Sequence, residues 1–376
     1  MELFVLAVIF FTIFIVEIIY YRIHALENLN LKVDFSKKVA NYGEDIELIE
    51  VAENKKRLPL PFIILKFESP REIKFYDMMN TSASDNLYRE DMLTMKAFSK
   101  HTRRIKAQCT KRGYYVFPRV GITTSDLFLM ERFTKEFASD SSLVVLPELL
   151  DCDTIDKLTS VTLSELQCRR TLLTDPFTLA GIREYAPNDP MKIINWKASA
   201  KSGDLMVNQD ASTCSQKVHI FVNLDFYNQK RSTSLLEKSI SLAYTYLQKL
   251  AELGIPASLY TNGVDVITEQ PVISETESGF ETLEERAVML ARIDLKKPVV
   301  PFAEILEKHI PATDRDDFIL VISPQFNGSF RPLLSDIKER RPALHWLMPS
   351  YKLTPDANPE PEIASSYTRW EVVGHD

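Results

Sequence analysis

The order of apolar and polar positions divides the chain into regions of different structure. Leu3 to Tyr21 is apolar at every position except Thr12 and Glu17. Residues 31–147 contain short runs in which apolar and polar positions alternate, the pattern of strands with one buried face. From Lys217 onward, short apolar runs alternate with amphipathic segments, which predicts alternating strands and helices.

The first apolar run predicts a membrane-spanning helix, which we assign to residues 1–30. As a helix, Leu3 to Tyr21 is about 28 Å long, close to the thickness of one hydrocarbon core. A signal peptide would carry a basic start, a shorter apolar run and a small-residue cleavage site, which this sequence lacks. A buried helix of a soluble protein is the alternative.

Basic residues indicate the orientation of this helix. Arg22, Lys32, Lys37 and Lys38 follow the apolar run, whereas no Lys or Arg precedes it. By the positive-inside rule, the C-terminal bulk of the chain is expected in the cytoplasm. The sequence therefore predicts a single-pass protein of the cell membrane.

A β-rich domain is predicted over residues 31–150. Strand patterns cover residues 45–51, 62–67 and 104–110. In the last of these, Ile105, Ala107 and Cys109 share one face and basic or amide side chains share the other. Two packed sheets, similar to an immunoglobulin-type sandwich, would bury such strands.

One part of this domain is strongly basic. Lys96 to Arg119 contains eight Lys or Arg and no acid, although the chain is acidic overall. This run could attract anionic lipid or an acidic partner. The alternative, which we favour, is the solvated face of an edge strand, where lysine prevents unwanted pairing.

Residues 151–214 form a predicted connection, residues 215–350 an α/β domain and residues 351–376 a tail. Strands are predicted at 218–225, 255–260, 317–323 and 343–348, and helices at 235–253, 283–293, 302–310 and 333–340. This order favours an open, largely parallel sheet with helices on both faces. The predicted fold class is therefore α+β and multidomain, with a transmembrane helix, a β-sandwich-like domain and an α/β domain.

The most distinctive segment is 181–201, which reads GIREYAPNDPMKIINWKASAK. Its first five residues favour an extended conformation. Asp189 is a predicted helix N-cap, and Pro190 would take the first helical position.

Within this predicted helix, Trp196 has helical spacing with Ile193 and Ala200 and is expected to point inward. Gly203 would end the helix, and residues 205–207 would resume as a strand. We expect this compact segment to act first as structure.

The same segment resembles the signature of the bacterial family called domain of unknown function 58, which reads roughly G-x-R-E-Y, P-G-D and R-x-I-x-W-x-A-S-A-R. Asn188 stands where the family usually has Gly, and Lys192 and Lys201 stand where it usually has Arg. The matching residues are Gly181, Arg183, Glu184, Tyr185, Pro187, Asp189, Ile194, Trp196, Ala198, Ser199 and Ala200.

The resemblance implies a membrane-anchored protein with a von Willebrand A-like (Rossmann-type) domain, often beside a MoxR-type AAA+ ATPase. No reaction is established for that family. The leading hypothesis is therefore a scaffold or interaction protein that is not an enzyme. The expected signature or interaction residues are Gly181, Arg183, Glu184, Tyr185, Asp189, Asn195, Trp196, Lys197 and Ser199.

The resemblance also raises a metal hypothesis, because von Willebrand A-like domains often hold Mg²⁺ through D-x-S-x-S after the first strand. Here Asp225 is followed by Phe226, Tyr227, Asn228 and Gln229, so both serines are missing. Ser323, followed by proline, stands where a later ligand aspartate would be expected. We therefore expect no metal and no cofactor, with Asp225 as a weak candidate that otherwise ends a strand.

Composition excludes other classes of function. A net charge of −7 argues against a nucleic-acid binder. The four cysteines form no CxxC pair, the six histidines have no metal spacing, and the ten glycines form no phosphate loop. No G-x-S-x-G elbow is present.

Two alternatives to the scaffold hypothesis remain. The first is a hydrolase or transferase that uses Arg183, Glu184 and Asp189, with Glu184 as the base. The second is an outward-facing adhesion domain, which the charge bias around the apolar run and the missing metal ligands disfavour. An open pocket lined by Glu184 and Asp189 would distinguish the enzyme from the scaffold.

Overall fold

The computed structural model describes residues 2–77, 81–83, 87–151, 153–172, 179–186, 191, 194–210, 217–225, 231–277, 280–325, 330–352, 354 and 356–372. The chain divides into two compact units, Met1–Glu148 and Leu149–Asp376.

The N-terminal apolar run forms helix α1, Glu2–His24, as predicted. Most of its large apolar side chains are exposed, including Phe4 at 74% and Phe10 at 66%. Among the described residues, α1 is the one helix that is long and apolar enough to cross a membrane. It fits a single-pass anchor, and its place near the N-terminus also fits a signal sequence.

The described strands of the first unit form two sheets. The four-stranded sheet has the antiparallel order β1-β3-β8-β5, and the six-stranded sheet has the order β2-β10-β9-β4-β7-β6. The strand bounds are β1 Leu29–Phe35, β2 Val39–Ala40, β3 Asp45–Asn54, β4 Leu60–Ser69, β5 Ile73–Phe75, β6 Thr81–Ala83, β7 Leu87–Met95, β8 Lys100–Cys109, β9 Gly113–Ser125 and β10 Arg132–Val145.

Alternating side chains of the two sheets share one core, which confirms the predicted β-sandwich-like domain. On β8, Ile105, Ala107 and Cys109 are all buried, as their spacing predicted. In the same core, the ring of Phe117 stacks on Phe35 with centroids 4.8 Å apart. Both sheets therefore bury one face against the other.

The basic run of residues 96–119 is spread over β8 and β9, and several of its side chains have acidic partners. Arg103 contacts the buried Asp91 at 2.6 Å, and Arg104 contacts Glu47 at 3.2 Å. β8 also lies between β3 and the short β5, which pairs only with its last three residues. Among the described strands, the expected edge-strand face therefore applies only to the N-terminal part of β8.

The second unit contains a largely parallel sheet, and the strands predicted at 218–225, 255–260, 317–323 and 343–348 are present in it, whereas those at 271–277 and 367–371 were not predicted. Its order is β15-β14-β13-β16-β17-β18, with only β15 antiparallel to its neighbour. The strand bounds are β11 Leu179–Glu184, β12 Met206–Asp210, β13 Val218–Val222, β14 Ala257–Val264, β15 Pro271–Glu277, β16 Phe318–Ile322, β17 Leu344–Ser350 and β18 Tyr367–Glu371. The helix bounds are α2 Asp153–Leu172, α3 Trp196–Ser202, α4 Arg231–Glu252, α5 Phe280–Ala291, α6 Phe302–His309, α7 Phe330–Arg340 and α8 Pro361–Ala364.

Helices cover this sheet on both faces. Phe221 of β13 belongs to a core cluster that includes residues of α6 and α7, such as Phe302 and Phe330. Ile220 and Val222 point to the other face and are also fully buried. On that face α4 contacts β13, and α2 and α5 pack beside α4.

Two regions contain a helix or strand that the sequence pattern did not predict. The connection 151–214 contains α2, which packs on α4 and β16. The tail 351–376 contains β18, which pairs with β17, so β17 is not the last strand of the sheet. The tail is held by long-range contacts, such as the ring of Tyr367 on Trp346 at 5.1 Å, which local periodicity does not reveal.

Candidate functional site

The distinctive segment forms a small hairpin with a helix between its strands. β11 and β12 pair antiparallel, with Arg183 opposite Val207 and Glu184 opposite Met206. The segment 181–185 is therefore extended, as predicted. The N–H of Tyr185 donates to the carbonyl of Leu205 at 2.9 Å and continues the pairing.

Helix α3 begins at Trp196 and is capped by Asn195. The Oδ1 atom of Asn195 accepts from the N–H of Ala198 at 3.0 Å, as an N-cap side chain does. The helix ends at Gly203, whose φ of 88° and hydrogen bond to Ser199 form the predicted stop. The predicted helix from Pro190 is wrong, because Ile194 makes a β-bridge to Val207 where that helix would run. The predicted cap, Asp189, lies outside the described residues.

Trp196 is exposed, which corrects the prediction that it points inward. Its exposed fraction is 67%, and no residue of α3 is buried. The cause is the late start of the helix: Trp196 takes its first position, on the outer side. The interior is filled instead by Ile194 and Val207, which are 7% and 0% exposed.

The hydroxyl of Ser199 hydrogen-bonds to backbone groups of the same small element. Its hydroxyl accepts from the N–H of Met206 at 2.8 Å and donates to the carbonyl of Asn195 at 2.9 Å. These bonds tie α3 to the first residue of β12. Ser199 therefore fixes the position of α3 and, with it, the direction of Trp196.

Two of the other candidate residues lie on the surface of this small element. Glu184 and Lys197 are exposed, and Tyr185 is half-buried. Gly181 and Arg183 lie in β11. The described residues thus place Glu184 on an open surface.

Several apolar side chains that the sequence did not single out are also exposed here. Met191 is 75% exposed, and Ile182 and Leu205 are both 47% exposed. The pairing register places Ile182 and Leu205 on opposite faces of the hairpin, so these side chains are apolar groups exposed on one short element and not one continuous patch. We call Ile182, Met191, Trp196 and Leu205 the hairpin surface.

A second polar cluster lies at the C-terminal ends of β13, β14 and β16. Asn262 donates to Asp225 Oδ1 at 2.6 Å and accepts from the N–H of Leu224 at 2.8 Å. Asn223 donates to Ser323 Oγ at 3.0 Å, and Gln325 donates to the carbonyl of Asp225 at 3.1 Å. Asn223 and Gln325 follow buried strands and Asn262 lies near the end of one, which is the sequence signal that could have identified them.

Asp225 is held within this network. Its Oδ2 accepts from the N–H of Phe302, the first residue of α6, at 3.3 Å. Burial raises the pKa of Asp225 above its ordinary value, although the hydrogen bonds from Phe302 and Asn262 oppose the shift. Asp225 thus joins β13 to α6 and β14. Among the described residues, no group of three His, Cys, Asp or Glu side chains could hold a metal ion.

We expect millimolar Mg²⁺ or Mn²⁺ to leave the melting temperature unchanged, because both Asp225 oxygens already accept hydrogen bonds. A ligand at a hundred times its Kd would add about 2.7 kcal/mol to the free energy of unfolding. Thermal unfolding with and without the ions checks this expectation. A rise that Asp225→Asn abolishes would contradict it.

The comparisons with known proteins give no family. No protein-family model matches the chain, and no curated protein does. The CARDB domain of the PF1109 protein from Pyrococcus furiosus has a TM-score of 0.20 at 14% identity, over 32% of this chain and 96% of that chain. A non-cellulosomal cohesin from Archaeoglobus fulgidus has 0.22 at 13% identity, over 32% and 91% of the two chains. These scores are too low to carry any argument about function.

Proposed function

We propose that this chain is a membrane-anchored interaction protein and that the hairpin surface binds its partner. The observation that carries the proposal is the 67% exposure of Trp196. Tryptophan is among the residues that contribute most to protein interfaces. Here its direction is fixed by the Asn195 cap and by the hydrogen bonds of Ser199.

Contacts at the end of α1 support an anchor that is retained. Tyr21 and Ala25 are buried in the core of the first unit, at 2% and 1% exposure. The Tyr21 hydroxyl donates to the carbonyl of Pro59 at 3.0 Å. Cleavage of α1 as a signal sequence would remove Tyr21 from this core.

We further propose that both units lie in the cytoplasm and that the partner is a MoxR-type AAA+ ATPase. The basic residues that follow the apolar run support the orientation. The resemblance of residues 181–201 to the domain of unknown function 58 signature supports the partner. The parallel sheet, with Asp225 just beyond β13, supports a von Willebrand A-like second unit.

The alternative of a hydrolase or transferase has less support. Glu184, its proposed base, is exposed. The hydroxyl of Ser199 is engaged by backbone groups on both sides. Neither residue lies in the sheltered setting that acid–base chemistry favours.

The test is Trp196→Ala. We expect its melting temperature to match that of the parent, because surface substitutions usually change stability by less than about 0.5 kcal/mol. Binding to a purified MoxR-type ATPase, measured with the full chain in detergent or nanodiscs, should fall at least about tenfold, since interface tryptophans often contribute 2 kcal/mol or more.

Two control variants make the result specific. Trp346→Ala removes a fully buried tryptophan and should lower stability by about 3–5 kcal/mol. Ile267→Ala removes an apolar side chain that is 53% exposed elsewhere in the second unit, and it should leave binding intact. Unchanged binding by Trp196→Ala, or a loss of stability, would contradict the proposed role of the hairpin surface.

A further inference from the structure

The hairpin that joins β9 to β10 ends in an exposed apolar loop. Its residues 126–131 read DLFLME, and we call them the apolar loop. Leu127, Phe128, Leu129 and Met130 are 52%, 47%, 62% and 70% exposed. Four consecutive large apolar side chains are unusual at the tip of a hairpin in water.

This loop lies directly against α1. The ring centroids of Phe128 and Phe14 are 5.0 Å apart. The N–H of Leu127 donates to Glu17 Oε1 at 2.9 Å. The loop therefore contacts the apolar part of α1 and supplies a partner for the only acid within the apolar run.

These contacts set the depth of the loop. Phe14 lies eight residues before Arg22, which is about 12 Å along the helix axis. Arg22 itself faces Glu131, at the base of the loop, with 3.8 Å between charged atoms. If Arg22 lies at the polar boundary, Phe128 lies at the level of the acyl chains.

Several backbone N–H groups of the loop are satisfied within the protein. Asp126, which is fully buried, accepts through Oδ1 from the N–H groups of Met130 and Glu131 at 2.8 and 2.9 Å. The N–H of Leu129 donates to the carbonyl of Asp126 at 3.2 Å. A segment that enters the hydrocarbon core needs hydrogen-bond partners for its backbone groups within the protein.

The same end of the sandwich presents a second apolar side chain with basic neighbours. Phe98 is 67% exposed, and its N–H donates to the carbonyl of Lys56 at 3.1 Å. The Lys56 ammonium in turn donates to the carbonyl of Glu27, just beyond α1, at 2.7 Å. Lys55 and Lys96 are exposed nearby in the chain. Apolar side chains beside lysines suit a surface of anionic lipid.

We infer that the apolar loop inserts into the leaflet beside α1, so that the first unit binds the bilayer at two points. The inference rests on the proposed anchor, since α1 sets the position of the membrane. The ligand is the acyl region of phospholipid, continuous with the lipid around α1. The second contact would hold the sandwich at one tilt to the membrane instead of leaving it to swing on α1.

The test uses the full chain in vesicles with or without brominated acyl chains, which quench tryptophan only on contact. Phe128→Trp is the reporter, and the parent supplies the background of Trp196, Trp346 and Trp370. Tyr42→Trp is the control. Tyr42 is 43% exposed and precedes β3, whose opposite end, at Asn54, is about 30 Å away along the strand. We expect bromine to remove the emission added at position 128 and to leave that added at position 42.

Other outcomes of the experiment distinguish failure of the anchor from failure of the loop insertion. Flotation of the parent with the vesicles after a high-salt wash tests the anchor, and its failure would overturn the proposed function. If the parent floats but bromine does not quench Phe128→Trp, the loop is outside the lipid and the inference is wrong. If the tryptophan at position 128 is shielded from an aqueous quencher but is not quenched by bromine, the loop contacts a protein partner. That result would also overturn the inference. Met130→Trp decides the question if Phe128→Trp lacks the parent's melting temperature.

Discussion

Replacing Tyr21 by alanine is expected to lower the free energy of unfolding of the first unit by about 3–5 kcal/mol. The side chain is 2% exposed, although most of α1 is exposed, and its hydroxyl donates to the carbonyl of Pro59. Truncation would open a cavity where α1 enters the sandwich core. Far-ultraviolet circular dichroism in denaturant should measure the loss. Tryptophan fluorescence would not report on the first unit, because all three tryptophans lie in the second unit.

Two neighbouring changes separate the causes of this effect. Tyr21→Phe removes only the hydrogen bond and should cost about 1 kcal/mol. Tyr20→Ala removes a side chain that is 52% exposed, and it should change stability by less than about 0.5 kcal/mol. If Tyr21→Ala were as stable as Tyr20→Ala, the end of α1 would not belong to the core and a cleaved signal sequence would regain support.

The second large effect concerns a buried acid in the first unit. Glu50 lies in β3 and is 1% exposed. Burial, followed by the charge of Asp91, raises the pKa of Glu50 to about 7, although Arg103 and Arg89 oppose the shift. The folded state therefore holds the Glu50 proton more tightly than the unfolded chain does.

This difference predicts a loss of stability with rising pH. The contribution of Glu50 is fully present below pH 4.5, its ordinary pKa, and is lost as the pH rises through about 7. A shift from 4.5 to about 7 corresponds to roughly 3 kcal/mol. Glu50→Gln keeps the site neutral, so it should match the parent near pH 4.5 and exceed its stability at pH 8 by up to that amount.

Denaturant unfolding of both proteins at several pH values checks this prediction. The pKa of His345 is lowered to about 4 by burial, which favours folding as the pH rises, but this contribution is common to both proteins and cancels in their difference. Glu47→Gln, at a half-buried position of the same strand, is the control for the loss of a β3 carboxylate. A constant difference between the parent and Glu50→Gln across the pH range would show that Glu50 is not protonated in the fold.

Local features of the sequence predicted most of the elements. The long apolar run forms α1, the alternation at Ile105, Ala107 and Cys109 forms β8, and Gly203 ends α3. Each depends on a periodicity or on one residue's backbone preference, which neighbours along the chain determine. Short apolar runs likewise predicted the buried strands β13 and β16.

At the hairpin surface, local spacing along the chain did not predict the structure. Helical spacing placed Trp196 inward, but the spacing holds only within one helix. The chain bridges Ile194 to Val207 and caps the helix with Asn195, so Trp196 becomes a first-turn residue on the outside. The bridge between Ile194 and Val207, which are distant along the chain, decided where the helix begins.

The sequence by itself thus determined the apolar helix, the alternating strands of the first unit and the strand–helix order of the second, because these follow from local patterns. The tertiary structure alone decided which polar and apolar groups meet. Glu17 pairs with the N–H of Leu127, 110 residues away, and Asn262 reaches Asp225 from the next strand. Such contacts depend on how sheets and loops are brought together in space, and no local pattern along the chain encodes that distance.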